Sequence, residues 1–297
     1  MTEGHPNHRP RNTLPPELRR TTVPSAVRSW VRRELEVDVL RWKRLPGAST
    51  SAVHRLMLAS GQSVVLRRYV WRWVLEDSPE VPYREVDALQ FAAANGLPVP
   101  AVLAADPDGT SVGDGVPALV MSFVPGSPVA VPDLHDLAQV AVSVHCVNAF
   151  SFPHRYYPWY RGALTDAPPG AVRTKLWRQA IDIWHRQMPD YKPNLLHRDF
   201  HPGNVLWRRR GAHVVDWANT CAGPWGCDVA HCRDNLIQLR GVEAADAFLE
   251  RYLEVAGVDY DPYWEVASVL EHSPESFDAS RIAMSEQRLG PAVATYG

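Results

Sequence analysis

Two aspartates and an asparagine interrupt apolar, strand-like runs in the second half of the chain. The stretch LLHRDFHPGNVLW (residues 195–207) contains Asp199 and Asn204, and the later run VVDW contains Asp216. A lone aspartate beside a strand usually caps a turn or faces solvent, because burying an unpaired carboxylate is costly. Three such side chains in this order and spacing predict a functional site instead.

These residue types match the needs of phosphoryl transfer. That reaction requires a carboxylate that orients and deprotonates the attacking hydroxyl, and oxygen ligands that hold Mg²⁺ against the phosphates. Asp199 and Asn204 are five residues apart on a loop that enters a strand, so both can face one cavity. Because magnesium prefers hard oxygen donors, we expect Asp199 to be the catalytic base and Asn204 and Asp216 to bind the metal.

A zinc site is the alternative interpretation of the same loop. His197, Asp199 and His201 form an H-x-D-x-H cluster, and zinc accepts imidazole and carboxylate ligands of this kind. The protein would then be a zinc hydrolase. Since this hypothesis leaves Asn204 and Asp216 without a role, phosphoryl transfer is favoured.

The pattern H-x-D-x4-N with a later aspartate resembles that of the protein-kinase-like phosphotransferases, in particular the aminoglycoside phosphotransferase and choline kinase-like family of small-molecule kinases. The resemblance extends from about Pro24 to Leu270. It implies an α+β, bilobal fold with a small antiparallel-sheet N-lobe and a larger, mostly helical C-lobe. It also implies that His197 supports the catalytic loop and that Asp228 hydrogen-bonds the backbone of that loop.

The resemblance further assigns residues in the first half of the chain to ATP. Arg67, in SVVLRRY, stands where the family has its phosphate-pairing lysine, and Glu85 stands where the glutamate partner of that lysine is expected. A guanidinium keeps the charge but changes its geometry. Strand alternation predicts that Arg67 faces the nucleotide while Arg68 points to water. The other candidate nucleotide-binding residues are Ser49, Thr50 and Ser51 in a loop and Ser122, Phe123 and Val124 in a hinge.

The elements that must position these residues form a strand-rich first part and a helical second part. We expect a flexible tail at residues 1–22, the N-lobe at residues 23–124 and the C-lobe at residues 125–297, with a hinge near Pro125. Apolar periodicity and turn residues predict helices at 24–35, 83–95, 133–148, 172–188, 229–239, 244–256 and 263–270, and strands on both sides of Ser60-Gly61-Gln62, at 116–124, at 204–207 and at 213–217.

Net charge, apolar runs and cysteine spacing limit the binding partners and the cellular location that we expect. The 31 basic and 33 acidic residues give a net charge of −2, which argues against a nucleic-acid or anionic-membrane surface. Apolar runs fall short of the ~18 residues of a membrane span. The four cysteines form no CxxC or zinc-finger pattern, and the N-terminus has no signal-like apolar segment, so we expect a cytoplasmic protein with reduced thiols, as a monomer or homodimer.

The sequence therefore predicts an enzyme that uses Mg²⁺ and ATP as co-substrate to phosphorylate a hydroxyl of a small molecule, such as an antibiotic, an amino sugar or a related metabolite. Candidate acceptor-binding residues are Tyr156, Trp159 and Tyr160, in an aromatic stretch that is not acidic, although a polycationic aminoglycoside would require an acidic wall. The same rings could simply pack the lobe. A second candidate stretch, residues 270–287, contains several carboxylates. The alternative function is a catalytically idle, kinase-like nucleotide-binding protein, since Arg67 replaces the usual lysine.

Overall fold

The computed structural model describes residue 18 and residues 21–48, 50–129, 132–186, 188–209, 211–272 and 274–296. Most of the predicted tail, and the predicted phosphate-loop residue Ser49, lie outside the described residues. The described chain divides into two compact units. The first contains the residues up to Val129 and residues 204–220, and the second contains residues 132–203 and 221–296.

The first unit is built around a five-stranded antiparallel sheet. Its strands are β1 (Val39–Arg44), β2 (Ala52–Leu58), β3 (Ser63–Arg68), β4 (Val102–Asp106) and β5 (Ala118–Ser122). They are arranged in the order β1-β2-β3-β5-β4. The predicted hairpin around Ser60-Gly61-Gln62 is β2–β3, and Gly61 supplies the positive φ of 83° that this turn requires.

Three helices accompany this sheet: α1 (Ser25–Leu35), α2 (Arg72–Asp77) and α3 (Val81–Ala94). Period-2 alternation along β2 buries every second side chain. Leu56 of β2 therefore lies in one core with Trp30 of α1. Burial of these apolar faces fixes the register of β3, which carries Arg67.

A second, three-stranded sheet also belongs to the first unit. It consists of β6 (Ser127–Pro128), β8 (Val205–Arg208) and β9 (Gly211–Val214), in the order β6-β8-β9. Because β6 pairs with β8, residues 125–129 and 204–220 belong to the first unit. The observed units thus differ from the predicted division at residues 124 and 125.

The second unit is mostly helical, with one two-stranded antiparallel sheet, β7 (Asn194–Leu196) and β10 (Cys221–Gly223). Amphipathic spacing buries Trp177 and Trp184 in its core, as their helical spacing predicts. Its helices are α4 (Leu134–His145), α5 (Thr174–His185), α6 (Gly226–Arg240), α7 (Val242–Ala256), α8 (Tyr263–Leu270) and α9 (Ala279–Ala294).

The elements that the sequence did not predict have weak local signals. β1, the short α2 and α9 are the main cases, and α9 contains Pro291. α9 begins at an aspartate N-cap, where the side chain of Asp278 accepts a hydrogen bond from the amide of Arg281. None of the helices in the described part of the chain has the length and apolar character needed to cross a membrane.

Candidate active site

Asn204 and Asp216 lie at the same end of the β8–β9 hairpin. Val205 pairs with Val214 at this end, and the amide of Val215 donates a 2.9 Å hydrogen bond to the carbonyl of Asn204. The two predicted metal-binding residues therefore flank one strand pair. Asn204 comes directly before β8, and Asp216 follows the end of β9.

The backbone of Asp216 is left-handed, with a φ of 69°. This conformation ends the extended run, so β9 stops at Val214 and is shorter than the predicted strand 213–217. Aspartate enters this region more readily than most residues, yet a non-glycine residue held there stores roughly 1–3 kcal/mol of strain. Such strain clusters at functional sites, where the surrounding contacts maintain it.

Arg67 connects Asp216 to Glu85. Its Nη1 atom lies 2.6 Å from Asp216 Oδ1 and 3.0 Å from Glu85 Oε1. The side chains of Arg67 and Glu85 are 8 % and 1 % exposed, whereas that of Asp216 is 37 % exposed. Tyr69 donates a 2.5 Å hydrogen bond to the other carboxylate oxygen of Glu85. The single buried guanidinium of Arg67 thus forms ion pairs with two carboxylates.

Burial and charge act in opposite directions within this network. Burial raises the pKa of Glu85, and the nearby Arg67 guanidinium offsets only part of that increase. Burial alone would lower the pKa of Arg67, but the negative charges of Asp216 and Glu85 raise it, so the guanidinium stays protonated. Burial also raises the pKa of Tyr69 well above its usual value, which keeps its hydroxyl a donor to Glu85.

Strand alternation predicted that Arg68 points to water, but its side chain is buried. Among the described residues, its guanidinium forms no ion pair with Glu85 or Asp216. Its side chain is 6 % exposed. Its Nη2 atom lies 2.8 Å from both carboxylate oxygens of Asp114 and 3.2 Å from the carbonyl of Val116. The prediction failed because the β4–β5 connection covers this face of β3 and supplies a carboxylate for the arginine.

The remaining predicted nucleotide-binding residues lie in the loop before β2 and at the end of β5. Thr50 is half-buried, and Ser51 is buried, with no hydrogen-bond partner for its Oγ among the described residues. The amide of Ser122 donates to the carbonyl of Ala101 at 2.9 Å. Phe123 follows, with the guanidinium of Arg55 stacked 4.0 Å from its ring centroid. The last hinge residue, Val124, is buried.

In the second unit, the loop after β7 is held by a buried carboxylate. Asp228, in the first turn of α6, accepts hydrogen bonds from the amides of His197 at 2.6 Å and Arg198 at 2.8 Å. Burial alone would raise the pKa of Asp228, but a hydrogen bond from His145 and the charges of His145 and His197 lower it. The Asp228 carboxylate thus braces the backbone immediately before Asp199.

Asp199 contacts two histidines. Its Oδ1 atom lies 3.0 Å from Nε2 of His231 and 3.8 Å from Nε2 of His201. Burial alone would raise the pKa of Asp199, but the hydrogen bond and charge of His231, with the charges of His201 and His197, lower it to about 2. Asp199 is therefore ionised throughout the neutral range.

The H-x-D-x-H cluster and the pair Asn204 and Asp216 differ in how well they suit zinc and Mg²⁺, respectively. Among the described residues, no three histidine, cysteine, aspartate or glutamate side chains are grouped as a metal centre would require. The H-x-D-x-H zinc hypothesis therefore gains no support from the geometry. Asn204 and Asp216 offer one amide and one carboxylate at one hairpin end, which suits Mg²⁺ because that ion uses few protein oxygens and keeps several waters.

The APH profile, described as the phosphotransferase enzyme family, matches residues 41–270. The chain belongs to this family. No curated protein matches the chain at a significant level.

Solved structures of similar fold agree with APH family membership. A candidate fructosamine-3-kinase from Thermobifida fusca YX-ER1 is 20 % identical, with a TM-score of 0.62, 92 % of this chain covered and 100 % of that one. A thermostable mutant of the aminoglycoside phosphotransferase APH(4)-Ia, in ternary complex with AMP-PNP and hygromycin B, is 17 % identical, with a TM-score of 0.64 and coverages of 91 % and 98 %. The amicoumacin kinase hAmiN, in complex with AMP-PNP, Ca²⁺ and Ami, is 16 % identical, with a TM-score of 0.57 and coverages of 88 % and 89 %. These likenesses establish the α+β, bilobal kinase-like fold that the sequence predicts.

Two of the three aromatic residues predicted to bind the acceptor of this APH family member, Tyr156 and Trp159, lie against Arg198. The Arg198 guanidinium lies 3.9 Å from the ring centroid of Trp159 and 4.7 Å from that of Tyr156. It also pairs with Glu271 at 2.9 Å, and Tyr156 donates a 2.5 Å hydrogen bond to the same carboxylate. Tyr160 has a left-handed backbone with a φ of 52°. Tyr156, which is 8 % exposed as a residue, lies in the core of the second unit.

Sequence reasoning missed His231 and Arg198, whereas Glu271 lies in the carboxylate-containing candidate stretch 270–287. His231 lies three residues after Asp228 on α6, so helical spacing could have placed it on the same face as the loop-bracing carboxylate. The sequence gives no signal for the pairing of Arg198 with Glu271, since these residues are 73 positions apart and meet only through a tertiary contact.

Proposed function

We propose that this APH family protein transfers the γ-phosphate of ATP, with Mg²⁺, to a hydroxyl group of a small molecule such as an antibiotic, an amino sugar or a related metabolite. The observation that carries this proposal is the Arg67 bridge between Glu85 and Asp216. The guanidinium of Arg67, the buried carboxylate of Glu85 and the partly exposed carboxylate of Asp216 form one network, and Asn204 lies at the same end of the hairpin as Asp216.

Each residue has a chemical role in the proposed reaction. Asp199 accepts the proton of the acceptor hydroxyl as its oxygen bonds to the γ-phosphorus, the bond from that phosphorus to the β–γ bridging oxygen breaks, and ADP leaves. Asn204 and Asp216 would hold Mg²⁺, which supplies positive charge to the phosphate oxygens when bound. Arg67 would donate to phosphate oxygens, and Glu85 and Tyr69 fix its position. His197 and Asp228 hold the loop that carries Asp199.

The ATP end of the proposed site uses backbone groups as well as side chains. Thr50 and Ser51 would offer N–H and hydroxyl donors to phosphate oxygens. The amide of Ser122 is already bonded to Ala101, so we assign the adenine contacts to the backbone of Phe123 and Val124.

Three buried carboxylates of the second unit are already paired with arginines, which favours an acceptor with few positive charges. Glu271 is paired with Arg198, and Asp234 and Glu265 are both paired with Arg288. Carboxylates already neutralised by buried arginines attract a polycation weakly. Trp159 and Tyr160 would then contact a sugar, a nucleoside or a bulky apolar natural product by stacking. We also infer cytoplasmic action, where ATP is plentiful and the four free cysteines stay reduced.

A panel of hydroxyl acceptors tests the proposal. The protein is incubated with Mg²⁺ and ATP and with aminoglycosides, macrolides, amino sugars, nucleosides, choline or homoserine, and each product is weighed by mass spectrometry for an added phosphate. We expect one acceptor class to gain phosphate, and Asp199→Ala to lower the rate by about 10²–10⁴-fold, the usual contribution of a general base.

Asp182→Ala is the matched control, because Asp182 is an exposed aspartate on α5. It should retain the parent rate. Equal rates for the parent and Asp199→Ala would reject the base assignment and favour a catalytically idle nucleotide-binding protein.

A further inference from the structure

His231 stands out because it contacts the predicted base but has no role in the proposed reaction. It lies on α6, its side chain is 30 % exposed, and its Nε2 atom is 3.0 Å from Oδ1 of Asp199. The side-chain nitrogen of Asn235, one turn further along the helix, lies 3.2 Å from the same Nε2 and donates to the carbonyl of His231 at 3.0 Å. The imidazole thus faces Asp199 from α6, and the Asn235 amide is bonded to the helix backbone beside it.

We propose that His231 is a positioning residue for phosphate transfer, holding the Asp199 carboxylate through Oδ1 in the orientation that meets the acceptor hydroxyl. This inference rests on the proposed function. One helix then holds the loop in two ways, since Asp228 binds the loop backbone and His231 binds the side chain of the base. Residues three apart lie on one helix face, so the two contacts act on the same segment.

The position of α6 is itself fixed by buried ion pairs. Arg233 pairs with Glu265 of α8 at 2.6 Å, and Arg288 of α9 pairs with Asp234 at 2.8 Å and Glu265 at 2.9 Å. These contacts join α6 to two neighbouring helices, so His231 is presented by a rigid element. Positioning groups act best from such elements, because a shift of about 1 Å at a reacting group can cost about 10²-fold in rate.

The charges around His231 favour its protonated form. Burial alone would lower its pKa, but the hydrogen bond and charge of Asp199, and the charges of Asp234 and Asp228, raise it. The other titratable or charged groups near the pair are His201 and His197 on the loop, Arg281 and Arg288 on α9, and His272, whose pKa burial and Arg281 lower to about 3. An imidazolium next to Asp199 makes that carboxylate a weaker base, so the benefit of His231 is geometric.

Two substitutions separate positioning from charge. His231→Gln keeps a nitrogen donor, whereas His231→Leu removes it. With Mg²⁺-ATP and the acceptor identified in the panel, or water where none is found, we expect His231→Leu to lower kcat by about 10–100-fold with the KM for ATP within twofold of the parent. His231→Gln should stay within about threefold, because the amide can replace the bond to Oδ1. His135→Leu, on the exposed side of α4, should match the parent.

A histidine titration followed by NMR reports the contact without turnover. The His231 signals are assigned by their loss in His231→Gln. Asp199→Asn should lower the pKa of His231, and an unchanged pKa would overturn the inference whatever the activity. Failure of the proposed function appears as turnover equal in the parent and Asp199→Ala. Failure of the inference appears as full kcat in His231→Leu while Asp199→Ala is inactive.

Discussion

At the scale of single residues, Arg67 is the residue that we expect in place of the family's phosphate-pairing lysine. The structure shows that the substitution is compatible with the ion pair to Glu85, because one guanidinium nitrogen reaches both Glu85 and Asp216. Planar guanidinium groups are less strongly hydrated than ammonium groups and are favoured in buried ion pairs. An arginine at residue 67 can therefore form the ion pair with Glu85 that the resemblance predicts for a lysine.

Removing this cation should destabilise the protein. Arg67→Met leaves Glu85 buried beside Asp216 with no positive partner, and loss of one member of a buried pair typically costs about 3–5 kcal/mol. We expect urea unfolding at pH 7 to show a loss near 3 kcal/mol, a smaller loss for Arg67→Lys, and partial recovery in Arg67→Met/Glu85→Gln. Matched stabilities of Arg67→Met and the parent would mean that the buried pair contributes nothing.

The loss of unfolding free energy in Arg67→Met should depend on pH. The pKa of Glu85 is raised in the folded protein, so the folded state takes up a proton at this site more readily than the unfolded state. Stability from this group is therefore gained as pH falls through its folded pKa, and removal of Arg67 strengthens the effect by raising that pKa further. The difference in unfolding free energy between Arg67→Met and the parent should shrink as the pH is lowered from 7 to 5. A constant difference would place the lost interaction outside Glu85.

At the scale of secondary-structure elements, the close approach of α6 to α8 depends on a glycine. A Cβ at Gly226 would overlap the indole ring of Trp264, which is buried against the same core. Alanine normally stabilises a helix by up to about 1 kcal/mol relative to glycine, but overpacking costs about 1–3 kcal/mol. We expect Gly226→Ala to lower the thermal midpoint. Gly290→Ala in α9 is the control, since its Cβ would meet only the flexible end of Arg173, and it should not lower the midpoint.

The α6 N-terminus also carries the loop-bracing carboxylate. Asp228 accepts two backbone amides, and an asparagine offers only one acceptor oxygen in its place, leaving one buried amide unsatisfied. We expect Asp228→Asn to cost about 2–3 kcal/mol of unfolding free energy, with Asp182→Asn on α5 as the neutral control. Urea unfolding measures both, and a loss below 0.5 kcal/mol would show that another acceptor satisfies the amide.

The sequence predicted elements with strong periodicity and the residues grouped by a motif. The β2–β3 hairpin and the amphipathic α5 follow from local patterns, and His197, Asp199 and Asn204 follow from one short motif. α9 was missed because its apolar face is interrupted by polar residues and Pro291. His231 and the Arg198–Glu271 pair could not be assigned because their partners come from distant segments, where no local pattern reports the contact.

At the scale of the whole molecule, each compact unit is built from segments that are not continuous in the sequence. Residues 204–220 lie between two segments of the second unit in sequence but belong to the first. The bond between Arg67 and Asp216 consequently spans 149 residues. Local periodicity cannot predict this arrangement, because it depends on the pairing of β6 with β8. The first unit is complete only when the chain has been made as far as residue 220.

Nucleotide binding should stabilise the folded chain as a whole. A ligand that binds only the folded state adds RT ln(1+[L]/Kd), about 2.7 kcal/mol at a hundred times Kd, so millimolar ATP with Mg²⁺ should raise the thermal midpoint by several degrees. Asp216→Ala should lose the part of this shift that requires Mg²⁺ and retain the part given by ATP with a chelator, because the carboxylate is assigned to the metal. Asp182→Ala should shift as the parent does. A midpoint unmoved by ATP and Mg²⁺ in the parent would contradict the nucleotide assignment, and an Mg²⁺-dependent shift of parental size in Asp216→Ala would contradict only the metal assignment.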